Sequence, residues 1–98
     1  MEKFINKVYE LSEKVGLFVE SFRTDAEHTT ITIEDNSSVY YEDWCSTFIR
    51  LHDIEDRKEW LTALREEIKN EVKDSINFPQ SFINKLEDLA TEIEKTIN

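Results

Sequence analysis

The chain has 98 residues, 22 acidic against 12 basic, for a formal net charge of −10, with 39% hydrophobic residues and a single cysteine. That length suits one domain with a modest core. The apolar content is too high for a disordered acidic tail, and the charge has the wrong sign for direct nucleic-acid binding.

Residues 1–15 predict a short helix: Phe4, Val8, Leu11 and Val15 recur at period 3.6, Ile5 widens the stripe, and Glu10 and Lys14 form an i,i+4 pair. Gly16 stands where a glycine ends a helix.

Residues 17–52 predict an antiparallel sheet. Leu17–Phe22 and His28–Glu34 read as strands, the second because β-branched residues dominate and Ile31 and Ile33 alternate with polar neighbours. Thr24–Glu27 suits a hairpin loop, and Asp35–Ser38 is a turn cluster. Val39-Tyr40-Tyr41 is expected to be a third strand, with Ser46–Leu51 continuing it or forming a fourth.

Residues 53–98 predict two helices. Asp53 is the expected N-cap, and Leu61, Leu64, Ile68, Val72 and Ile76 form a stripe flanked by Trp60, which is placed at the core margin. The helix is expected to end near Asp74–Asn77, and Phe78-Pro79 starts the next, with Pro79 in its first turn. Phe82, Leu86, Leu89, Ile93 and Ile97 form its stripe, with Ile83 and Ala90 beside them. The expected fold is α+β: an N-terminal helix, a three- or four-stranded antiparallel meander, and two antiparallel C-terminal helices packed on one face of the sheet.

No apolar stretch approaches the ~20 residues of a membrane span. Met1-Glu2-Lys3-Phe4 lacks the pattern of a signal peptide, and Cys45 has no partner for an intrachain disulfide, so a cytoplasmic setting is expected.

The charge is uneven. Residues 16–52 carry seven acids against Arg23 and Arg50. Their carboxylates pair at expected strand ends: Asp25 with Glu27, Glu34 with Asp35, Glu42 with Asp43. The meander as read above brings Glu42/Asp43 beside Asp25/Glu27, with Tyr41 and Trp44 close by. A carboxylate-rich face bearing aromatic anchors suits docking on a basic surface; the bland alternative is solubility.

Catalytic and metal signals are thin. Cys45 and His52 lack the glycine elbow and third group of a cysteine nucleophile. His28, Cys45 and His52 lack the short-range ligand pair of a structural zinc site, and Glu34-Asp35-Asn36 lacks the Gly and closing Glu of a calcium loop. No cofactor motif is present. The expectation is a small acidic non-enzyme that blocks a basic protein partner, such as a nucleic-acid-binding enzyme, in the manner of inhibitors, immunity proteins, phage anti-defence proteins or nucleic-acid mimics. Asp25, Glu27, Glu34, Asp35, Tyr41, Glu42, Asp43 and Trp44 are the expected contact residues. No direct nucleic-acid or membrane partner is expected. The alternative is a structural or adaptor module that homodimerises through its C-terminal helices.

Overall fold

In the computed structural model, which describes residues 2–23, 25–73 and 79–97, the chain runs helix, three strands, two helices. Helix α1 is Phe4–Val15; strands β1, β2 and β3 are Phe18–Arg23, Thr29–Asp35 and Cys45–Leu51; helices α2 and α3 are Arg57–Lys73 and Gln80–Lys95. The strands form an antiparallel meander in the order β1-β2-β3. This is the expected α+β architecture.

The expected third strand is corrected. Val39 and Tyr40 lie in a loop, and Tyr41–Asp43 is a single 3₁₀ turn. The third strand is Cys45–Leu51, and alternation explains the choice. Thr47, Ile49 and Leu51 turn buried side chains to the core while Ser46, Phe48 and Arg50 turn outward. Val39-Tyr40-Tyr41 is bulky throughout and offers no such two-sided pattern.

The core lies between the sheet and the helices. Val19, Ile31, Ile33, Ile49 and Leu51 face inward and are buried. They meet Phe4, Ile5, Val8 and Leu11 of α1, Trp60, Leu64 and Ile68 of α2, and a six-residue stripe of α3 from Phe82 to Ile93. Trp60 is central, not marginal. It is fully buried, meets the Phe4 ring edge-on at 6.3 Å, and donates its indole N–H to the Ile54 carbonyl at 2.7 Å. Burying its ring is favourable only because that N–H keeps a partner.

Helix ends are satisfied from unexpected places. No side chain beside the start of α1 caps it. Instead the Glu55 carboxylate accepts the Phe4 and Ile5 N–H groups, at 2.7 and 3.1 Å, placing an anion at the positive end of the helix. The N-cap of α2 is Asp56, not Asp53: its Oδ1 accepts the Lys58 and Glu59 N–H groups. Asp53 closes a tighter turn by accepting the Glu55 N–H. Pro79 stands just before α3 in extended conformation rather than within its first turn.

Gly16 ends α1 at φ 86°, and the Leu17 N–H donates to the Ser12 carbonyl across the turn, as the glycine signal implied. Lys14 bonds Glu92 of α3 at 3.1 Å rather than Glu10, while Glu10 faces Lys7. Val72 is half exposed and leaves the expected stripe. The expected helix end at 74–77 and the residues Ile76 and Phe78 lie outside the described residues. Arg57 near the start of α2 donates to the Thr96 carbonyl past the end of α3, and Arg65 pairs with Glu94, so the two helices are antiparallel.

Candidate binding surface

The strand register that buries one side of the sheet points three rows the other way. Phe18, Glu34 and Ser46 form one row, Glu20, Thr32 and Phe48 the next, and Thr30 and Arg50 flank the third. The helices occupy the inner face. On the outer face Phe18 is 47% and Phe48 56% exposed, and Glu20, Ser46 and Arg50 are exposed as well. Phe22, a third phenylalanine expected on the strands, pairs with Thr30 through its backbone, and its side chain falls outside the described part of the structure. Exposed phenylalanines at the start of β1 and the middle of β3 are not required by the fold. A partner-facing surface is one reason to keep them.

Beyond the end of β2, residues 36–44 form an ordered loop organised by Ser38. The Ser38 carbonyl accepts the Trp44 indole N–H at 2.8 Å. Its hydroxyl accepts the Tyr40 N–H and donates to Asp43. Tyr41 and Trp44 pack ring to ring at 5.0 Å, yet they are 76% and 44% exposed. Two bulky rings thus stand in water on a loop fixed from beneath. A shallow hollow of about 250 Å³ lies among Glu34, Tyr41, Trp44, Cys45 and Ser46, joining the loop to the outer sheet face.

The structure divides the expected contact residues. Register pairs Asp35 with Cys45 and Thr29 with Leu51. Glu34, Asp35, Tyr41, Glu42, Asp43 and Trp44 therefore gather at one end of the sheet, and Asp25 and Glu27 lie at the other, about 20 Å away at the rise of an antiparallel strand. The expectation that Glu42/Asp43 lies beside Asp25/Glu27 is corrected. It followed from placing the third strand one segment too early.

Two of these carboxylates have internal work. Asp35 points to the helix side, where Lys85 of α3 donates to it at 2.8 Å and Ser37 donates through both its N–H and its hydroxyl. Burial would raise the Asp35 carboxyl, but the Lys85 and Ser37 bonds outweigh it and hold the group below the ordinary carboxylate range. Asp25 builds the β1–β2 turn, its Oδ1 accepting the Glu27 and His28 N–H groups at 2.8 Å. The carboxylates turned outward near the aromatic rings are Glu20, Glu34, Glu42 and Asp43. Of these, Glu20 was missed by sequence reasoning; on sequence alone Phe18 and Phe48 fit either a sheet covered on both sides or an apolar face kept for a partner. Period-2 alternation against Val19 and Ile49 is the signal that finds them.

The thiol and imidazole candidates are not assembled into a site. Cys45 opens β3 and His52 follows its far end. Burial, joined by the charges of Asp35 and Asp43, pushes the Cys45 thiol up, away from the thiolate form that nucleophilic chemistry needs. His28 and His52 do meet, with ring centroids 4.5 Å apart, at the end of the sheet remote from Cys45. Among the described residues no group of three or more His, Cys, Asp or Glu side chains is arranged to hold a metal ion, and no helix is long and apolar enough to cross a membrane.

No known protein family, curated protein or solved structure matches the chain.

Proposed function

We propose that this chain is a small non-enzymatic binding protein that docks on a basic protein surface and blocks it. The observation that carries the reading is the outer sheet face, on which no described helix packs, where Phe18 and Phe48 are about half exposed and continue toward Tyr41 and Trp44 among four outward carboxylates. Aromatic side chains bring large contact area at low entropic cost and are the usual anchors of protein interfaces. Carboxylates around them steer an oppositely charged partner and reject an acidic one. Proteins that handle nucleic acid carry basic surfaces of this kind, so the finer form of the proposal is an inhibitor, immunity or phage anti-defence protein acting as a nucleic-acid mimic in the cytoplasm.

The C-terminal helices offer less for the alternative of a homodimer. Their stripes lie in the chain's own core, and Val72 is the large apolar side chain that α2 and α3 leave exposed among the described residues.

The test is kinetic. Glu42→Lys and Asp43→Lys combined should slow association with a basic partner at least tenfold at low salt and flatten its salt dependence. Glu87→Lys with Asp88→Lys, on the exposed side of α3, is the matched control and should leave the rate within twofold. Equal effects of the two sets would show that only total charge matters and would remove the outer face from the account.

A further inference from the structure

His28 and His52 are far apart in sequence, yet the β2–β3 register sets them side by side, because Thr29 pairs with Leu51. Their ring centroids are 4.5 Å apart, with 50° between the ring planes. Each ring has its own carboxylate. His28 Nδ1 lies 3.2 Å from Asp25 Oδ1, and His52 Nδ1 lies 3.1 Å from Glu59 Oε2.

An ionised carboxylate only accepts, so the proton of each neutral ring sits on Nδ1 and the Nε2 lone pair is left open. Neither Nε2 has a hydrogen-bond partner among the described residues. The carboxylates are themselves held. Asp25 accepts the Glu27 and His28 N–H groups, and Glu59 accepts those of His52 and Asp53, at 2.7 and 2.9 Å. A histidine whose Nδ1–H is fixed by a carboxylate while Nε2 stays free is the arrangement that metal-binding histidines use. Here two such units stand together on a partly exposed surface.

We propose that His28 and His52 bind one late first-row divalent cation through their Nε2 atoms, with water completing the coordination shell and Asp25 and Glu59 as positioning residues. Neutral imidazole nitrogen is a ligand that Ni²⁺, Cu²⁺ and Zn²⁺ share, and two of them leave the remaining positions to water. Short-range ligand pairs usually come from one helical turn; here adjacent strand ends supply the pair. The site lies at the opposite end of the sheet from Tyr41 and Trp44 and does not depend on the docking proposal.

The experiment is a titration of the tag-free chain with NiCl₂, followed by calorimetry and by amide NMR signals. Binding of one Ni²⁺ per chain is expected, with paramagnetic broadening centred on residues 27–29 and 51–53. His28→Ala and His52→Ala should each weaken uptake at least tenfold. Asp25→Asn and Glu59→Gln should weaken it by about 10–100-fold, as outer-shell partners do. Far-UV circular dichroism on the metal-free variants separates lost ligands from lost fold. Saturable uptake that survives in the His28→Ala/His52→Ala double variant, or no one-to-one binding in the parent chain, would overturn the proposal.

Discussion

At the residue scale, single polar groups decide local stability, and two make opposite cases. Ser12 is 1% exposed on the inner side of α1, and its hydroxyl has no hydrogen-bond partner among the described residues. A buried hydroxyl of that kind costs about 1–3 kcal/mol. Ser12→Ala removes the oxygen and leaves a good helix former. The urea midpoint should rise, by about 1 kcal/mol in unfolding free energy; a fall would mean that the hydroxyl is satisfied.

Asp35 is the contrary case. Asp35→Asn keeps the size of the side chain but loses the charge that Lys85 meets, and it should cost roughly 1–2 kcal/mol. The pH dependence has a definite sign. The carboxyl is held lower in the folded chain than in the unfolded one. Its contribution is therefore complete above the ordinary carboxylate range and lost as pH falls through the lower folded value. The gap between parent and Asp35→Asn should be widest at neutral pH and close in acid. A gap independent of pH would place the cost elsewhere. The sequence identified Asp35 as an acid at a strand end. It could not show that Lys85, fifty residues on, neutralises it, because no local pattern encodes that contact.

At the element scale, periodicity was legible and loop paths were not. The stripes of α1 and α3 follow the predicted spacing, since a helix buries what recurs every 3.6 residues, but Ile97 falls past the end of α3 and is only partly buried. The third strand was misplaced because three β-prone residues, Val39-Tyr40-Tyr41, resemble a strand in composition alone. Alternation was the better guide: Thr47, Ile49 and Leu51 give an inward set that Val39–Tyr41 cannot. Caps followed the same division. Gly16 was readable from its position, whereas Glu55 reaches α1 across the fold. Glu55→Ala should strip two N–H groups of their acceptor and lower stability by about 1 kcal/mol, in line with other lost caps. Amide exchange should quicken at Phe4 and Ile5 in particular; unchanged exchange there would show that water replaces the cap without cost.

At the scale of the whole molecule, the surplus of ten negative charges is not gathered on one side. Asp25 and Glu27 lie at one end of the sheet with the histidines, while Glu34, Glu42 and Asp43 lie at the other with the exposed rings. Part of the charge is structural, as at Asp35, Glu55 and Glu59. The outer sheet face remains as the surface where apolar area and outward carboxylates coincide. Its strands were legible as strands, but its openness was not, because Phe18 and Phe48 among polar neighbours read equally well as the second side of a doubly covered sheet.

The central claim, that this face does the binding, is tested most directly by a hydrogen-exchange footprint of the chain in complex with a basic partner isolated from its host. Protection is predicted over 18–20, 34 and 41–48, with residues 87–92 of α3 unchanged. Protection confined to α2 and α3, with the outer strands exchanging as in the free chain, would contradict it.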